Sequence, residues 1–211
     1  MPRIRAVLFD MDGVLIDARD WHYEALNRAL KLFGFAISRY DHLVTFDGLP
    51  TRKKLEMLSR EQNLPVRLHG FLNDLKQVYT TEIVHARCKP RFQHEYALSR
   101  LKAEGYRMAV ASNSVRASIE LMMEKSQLRD YLEGIVSNQD VTQAKPAPEI
   151  YLKAAAMVGA APAECLVVED NANGIAAAQA AGCPLLVVQD VGEVTYDRIA
   201  ARIAALNATA P

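Results

Sequence analysis

The sequence carries no excess of charge of either sign: 25 Lys and Arg stand against 25 Asp and Glu, a formal net charge of +0. With no basic field and no polybasic or acidic tail, nothing draws in nucleic acid or an anionic membrane surface. A small molecule is the expected partner. Cysteine is scarce as well. Cys88, Cys165 and Cys183 form an odd set without metal-ligand spacing, which argues against a disulfide scaffold and reads as buried thiols in a reducing cytoplasm. Long uninterrupted hydrophobic runs are missing too. The stretch NANGIAAAQAAGCPLLVVQ, residues 171 to 189, approaches membrane-span length, but its Asn, Gln, Gly and Pro resolve it into helix, turn and buried strand. The apolar run after the basic start MPRIR breaks at Asp10, too short for a signal peptide. Internal repeats and low-complexity linkers are also lacking. These absences predict a cytoplasmic protein, a monomer or weak dimer, with neither nucleic-acid nor membrane partners.

What is present is core material. The chain has 211 residues, half of them hydrophobic, enough for one large domain or a core domain with an insertion. Five short apolar runs predict strands: RAVLF (5 to 9), RMAVAS (107 to 112), EGIVS (133 to 137), CLVVE (165 to 169) and PLLVV (184 to 188). Most lack alternation, as strands covered by helices on both faces do. Helical patterns lie between them. FQHEYALSRLKAEG sets Tyr96, Leu98 and Leu101 near one face, and SIELMMEKSQL, PEIYLKAAAMVG and NGIAAAQAAG follow in turn. Alternating strand and helix predicts an α/β fold with a doubly wound parallel sheet. A terminal helix with a frayed end is expected in VTYDRIAARIAALNATAP.

Residues 16–84 break that rhythm. They hold no convincing strand but several amphipathic helices, one placing Leu26, Leu30 and Phe33 at helical spacing. A helical insertion directly after the first strand suggests a small α-helical cap domain over 16–84, with 1–15 and 85–211 forming the core. Sheets of this kind bind ligands at the carboxyl ends of their strands.

Polar residues stand where those strands end. The first is followed by Asp10 and Asp12, the second by Ser112, Asn113 and Ser114, and the fourth runs into Glu169 and Asp170, while Lys145 follows the third in AKPAPE. In a parallel sheet these ends share one edge. Each carboxylate alone is what a strand-end turn or helix cap shows, but four together repel and call for a cation. Oxygen ligands with room for water suit Mg²⁺. A lysine with strand-end hydroxyls and backbone N–H groups suits a phosphate. Pro146 favours an extended Lys145, which limits where the ammonium points. In that setting Asp10 is a candidate nucleophile, and Asp12, across the turn at Gly13, a candidate acid and base.

DMDGV, SNS, KPAPEIY and VVEDNANGI, in this order and spacing, resemble the haloacid dehalogenase superfamily, and within it the β-phosphoglucomutase-like phosphatases with a helical cap. The resemblance covers nearly the whole chain. It implies a Rossmann-like core, Mg²⁺ dependence and an aspartyl-phosphate intermediate on Asp10, with Asp12 as acid and base. It further implies that Ser112, Asn113 and Lys145 hold the phosphoryl group, and that Asp10, the Asp12 carbonyl, Glu169 and Asp170 surround the metal. An aspartate at position 12 is what phosphoryl-transfer members carry and dehalogenases lack, since halide leaves without a proton.

The substrate is less sharply written. His22, twelve residues after Asp10, matches a histidine of the β-phosphoglucomutase pattern, although a solvated helix start explains it equally. Arg52 and Lys76 sit where related caps reach the substrate, although an ordinary solvated helix face is the plainer reading. Arg91 lies where relatives often carry glycine, and its place is open. Ala18 replaces the threonine of the mutase hinge, and DAR at 17 to 19 replaces the DSE of many phosphatases. The expected function is a Mg²⁺-dependent phosphatase acting on a small phosphorylated metabolite such as a sugar phosphate. A hexose-phosphate mutase is the alternative, and a non-catalytic phosphometabolite-binding protein a third.

Overall fold

The protein is described here from a computed structural model that covers residues 3–46 and 48–208. Strand β1 (Ala6–Phe9) is fully buried, as an apolar run without alternation should be in a sheet covered on both sides. The chain then leaves the sheet for α1 (Arg19–Lys31), a three-residue turn α2 (Arg39–Asp41) running into a π-helical turn at His42–Phe46, α3 (Thr51–Gln62) and α4 (His69–Arg87). It returns through α5 (Phe92–Ala103), β2 (Arg107–Ala111), α6 (Arg116–Lys125), β3 (Gly134–Val136), α7 (Glu149–Met157), β4 (Cys165–Glu169), α8 (Ala172–Ala180), β5 (Leu185–Val187) and α9 (Tyr196–Ala208). The frayed end expected after α9 falls on 209–211, outside the described residues.

Two compact units result: Met1–Asp17 with Lys89–Pro211, and Ala18–Cys88. The first is a five-stranded parallel sheet of order β3-β2-β1-β4-β5. Order reversal at β1 puts helices on both faces, the doubly wound arrangement. On one face Ala6, Leu8, Ala111 and Val167 pack against Ile150 and Tyr151 of α7 and Ala177 of α8. Small residues on α8 let that helix lie close to the strands. β5 departs from expectation: as the outermost strand it is only half covered, and Val187 is 48% exposed. On α5 the buried face is Ala97, Leu98 and Leu101. Tyr96 points away, 44% exposed, stacking on Phe92 and meeting the Tyr196 ring edge-on. It stands two residues before Leu98, a separation that does not share a helix face.

The second unit is all helix. Leu26 and Leu30 of α1, Leu55 and Leu58 of α3 and Leu72 of α4 form its core with Phe46. Phe33 lies past the end of α1 and is 39% exposed, packing edge-on against Phe71 rather than joining that core. Asn27, buried on α1, accepts from Ile37 N at 2.8 Å and donates to Ile37 O at 3.1 Å, which fixes the chain leaving the helix. Ser38 Oγ accepts from Asp41 N at 3.0 Å and so starts α2. No helix among the described residues is long and apolar enough to cross a membrane.

Candidate active site

The register of the sheet decides which side chains meet. Phe9 pairs with Val110 on one side and Val168 on the other, so the residues that follow all emerge at one edge. Asp10 continues the ladder with its N–H on Val168 O at 3.0 Å, and Ser112 does the same on Val136 O at 3.0 Å. Glu169 is the last residue of β4. Side chains from three strands thus converge without help from any flexible loop.

Lys145 joins them from the segment after β3. Its Nζ donates to Asp10 Oδ1 and to Glu169 Oε1, both at 2.6 Å, and the residue is 6% exposed. Tyr151, one turn into α7, donates its hydroxyl to the same Glu169 Oε1 at 2.7 Å and lays its ring 4.8 Å from the ammonium. Glu169 Oε2 accepts from Asp170 N at 3.0 Å and from Asn171 N at 3.1 Å. A charge this deep is tolerated only when paired and hydrogen-bonded, and every partner here is supplied by the protein. Burial works against the ammonium of Lys145, but Asp10 and Glu169 outweigh it and hold the pKa above the usual lysine value. For Asp10, burial pushes the pKa well above the usual aspartate value; Glu169 and Asp12 add to the push, and Lys145 opposes it.

The segment presenting Lys145 is itself stitched down. Glu149 Oε2 accepts from Thr142 N and Oγ1 and from Gln143 N at 2.7–3.0 Å. With Lys153 bonded to its other oxygen, the Glu149 carboxyl is held at about 2. Asn113 Oδ1 accepts from Lys145 N at 3.1 Å, so the amide expected to face a phosphate is spent on orienting the lysine backbone. The Lys145–Pro146 peptide is cis. Ser112 is buried, and its Oγ accepts from Ser114 N at 3.2 Å. Ser114 Oγ in turn donates to Asp12 Oδ2 at 2.9 Å.

Two glycines make room for the carboxylates. A Cβ at Gly174 would lie 1.6 Å from Glu169 Oε1 and 2.0 Å from its Cδ. One at Gly13, where φ is +92°, would lie 2.0 Å from Asp170 Oδ2. The turn at Gly13 therefore does more than redirect the chain, because it also leaves Asp170 its space. Carboxylate oxygens of Asp10, Glu169 and Asp170 all lie within 4.8 Å of one another. Hard anionic oxygens at this separation fit Mg²⁺ by donor chemistry.

Three residues of this network, Ser114, Tyr151 and Gly174, were not singled out by sequence reasoning as positioning groups. The signal for Ser114 was its place in SNS, and for Tyr151 its place two residues after Glu149 in KPAPEIY. For Gly174 it was a small residue at a helix start.

In the helical unit, Lys76 and His22 come together with Nζ to Nδ1 at 3.2 Å. The ammonium has only donors, so Nδ1 is the acceptor and the imidazole proton sits on Nε2. Lys76 is 7% exposed, unlike the solvated face expected of it. Arg52 is not part of that pair. Its side chain, 88% exposed, bonds Glu56 at 3.0 Å along α3. Arg91 Nη2 lies 4.0 Å from Asp17 Oδ2, with both side chains at least half exposed.

Comparison with known proteins follows the same lines. The phosphoglycolate phosphatase of Aquifex aeolicus (strain VF5) is 31% identical over 184 residues, 85% of this chain and 82% of the relative. The fructose-1-phosphate phosphatase YqaB of Escherichia coli (strain K12) is 29% identical over 184 residues, 85% of this chain and 94% of the relative. The crystal structure of β-phosphoglucomutase from Clostridium difficile superposes with a TM-score of 0.83 at 21% identity, covering 96% of this chain and 98% of that one, and so shares the fold. A family model described as haloacid dehalogenase-like hydrolase matches residues 7–188, spanning β1, the helical insertion and every residue of the buried Lys145 network. The chain belongs to the haloacid dehalogenase-like hydrolases.

Proposed function

We propose that this hydrolase is a Mg²⁺-dependent phosphatase that releases phosphate from a small phosphorylated metabolite, a sugar phosphate being the class favoured by the relatives. The observation that carries this is Lys145, a buried cation shared at 2.6 Å between Asp10 and Glu169 at the carboxyl edge of the sheet. It sets one positive group beside a carboxylate that has nothing else to do there structurally. Asp10, Glu169 and Asp170, with the Asp12 carbonyl, would hold the metal. When bound, Mg²⁺ supplies charge neutralisation at the phosphoryl oxygens.

The chain's own residues account for the rest. Asp10 attacks phosphorus, forming a carboxylate O–P bond as the ester O–P bond breaks. Asp12 gives its proton to the departing oxygen, then takes one from the water that releases phosphate from Asp10. Lys145 and Ser112 hold the transferring group, and the hydrogen bonds of Asn113 and Glu149 keep Lys145 in place. The helical unit acts as the cap, where His22 and Lys76 contact the remainder of the substrate.

The test is a screen of phosphorylated metabolites with Mg²⁺, assayed for both free phosphate and isomer interconversion. Phosphate release that is lost with EDTA and in Asp10→Asn, while that variant stays folded, is the expected outcome. Isomer interconversion with little free phosphate would instead identify a mutase, and neither product from any metabolite would leave a binding protein.

A further inference from the structure

The loop after β2 spends each of its three polar side chains on a different element. Ser112 Oγ accepts from the loop's own Ser114 N at 3.2 Å, and Asn113 Oδ1 accepts from Lys145 N at 3.1 Å. Ser114 Oγ reaches back across 102 residues of sequence to Asp12 Oδ2 at 2.9 Å. Ser114 itself is fixed through its backbone. Its N–H is held by Ser112, and its carbonyl accepts from Asn138 N at 3.2 Å. The hydroxyl is therefore offered to Asp12 from a rigid platform and does not hold the loop together.

From this geometry we infer that Ser114 is the positioning residue for Asp12: it fixes the carboxyl plane and reserves Oδ1 for proton exchange. A hydroxyl that donates to Oδ2 keeps that oxygen in the acceptor, carbonyl-like role, because an oxygen already receiving a hydrogen bond is the poorer place for the acid's own proton. The proton to be transferred then sits on Oδ1. As the ester O–P bond breaks and the Asp10 O–P bond forms, that proton moves from Oδ1 to the leaving oxygen. A carboxyl free to rotate would offer the proton in the right direction only part of the time. The inference rests on the reading of Asp12 as acid and base given above.

A leaving-group series separates the two. Phosphate monoesters with poor leaving groups (alkyl alcohols) need protonation as the bond breaks, whereas a nitrophenolate does not. With Mg²⁺-loaded enzyme, Ser114→Ala is expected to lower kcat on alkyl phosphates by roughly ten- to a hundredfold, the scale of a hydrogen bond to a charged group. On 4-nitrophenyl phosphate it is expected to lower kcat only a few-fold, with KM little changed on either. Ser114→Thr keeps the hydroxyl and should restore the alkyl rate. Asp12→Asn should show the same selectivity, more strongly. A Ser114→Ala variant that slows both classes equally, or neither, while Asp12→Asn remains selective, overturns the role of Ser114 and leaves the acid–base reading standing. Loss of selectivity in Asp12→Asn overturns both. A chain that releases no phosphate from any ester overturns the function beneath them. Thermal melting of each variant reports folding separately, and a lowered melting temperature with unchanged leaving-group dependence counts against the inference.

Discussion

In the unit built on the sheet, Lys145 is 6% exposed and bonded to two carboxylates contributed by other strands. In the helical unit, Arg52 carries a side chain 88% exposed and meets Glu56 one turn along its own helix. The contrast extends to apolar residues. Most of the large exposed ones, including Leu32, Tyr40, Val44, Val66 and Phe71, belong to the helical unit. One unit holds its polar groups by bonds between segments far apart in sequence, so each position is fixed several times over. The other holds a leucine core and lets most of its charged groups pair locally, with Lys76 and His22 as the exception. Geometry that chemistry depends on needs the first kind of support. A surface that chooses among ligands can vary residue by residue on the second.

The most damaging way to break this contrast is Lys145→Met. It removes the cation and leaves Asp10 and Glu169 with oxygens within 4.8 Å of each other in a buried site. Removing one partner of a buried ion pair costs about 3–5 kcal/mol, and denaturant unfolding at pH 7 should show a loss on that scale together with loss of activity. The pH dependence has a definite sign. Burial already holds the Asp10 pKa above its ordinary value, and losing Lys145 raises it further. A carboxyl with a raised folded-state pKa contributes most to stability below its unfolded value, and that contribution is lost as pH rises through the folded-state value. The variant's deficit should therefore shrink between pH 7 and about 5. A deficit that does not change with pH would mean that the two carboxylates do not bear on each other.

Next in size is Gly174→Ala. A methyl group 1.6 Å from Glu169 Oε1 cannot be accommodated without moving the carboxylate or the start of α8. Overpacking of this kind costs about 1–3 kcal/mol. The sharper signature is a fall in kcat out of proportion to that loss, because Glu169 is what Lys145 leans on. A variant with unchanged kcat would show that the site absorbs the shift. Gly174 also marks where sequence reasoning stops. β1 ending in Asp10 was legible, because an unalternating apolar run that closes on a carboxylate has few other uses. The parallel order was legible from strand alternating with helix. The partners of those end residues were not. Ser114 finds Asp12, and Tyr151 finds Glu169, only once the register β1–β2 and β1–β4 is set. Tyr151 looked like one more apolar position on α7, since its ring is buried and only its hydroxyl reaches the site. Phe33 was misplaced for a simpler reason: α1 ends at Lys31, so helical spacing no longer governs residue 33.

The smallest effects lie in the helical unit, and they sharpen the comparison within it. Lys76 is buried against His22, whereas Arg52 is in solvent. Lys76→Ala should raise KM for the physiological phosphate ester about tenfold while leaving kcat on 4-nitrophenyl phosphate unchanged, the pattern of a lost contact to the non-reacting part of the substrate. Arg52→Ala removes an exposed pair along one helix, and pairs of that kind contribute little. Its melting temperature should match that of the parent, with KM moving less than in Lys76→Ala. If Arg52→Ala raised KM as much as Lys76→Ala does, the exposed arginine would have to leave Glu56 when substrate arrives. Local pairing would then be a resting arrangement in the helical unit, and burial would no longer distinguish its binding residues from its surface.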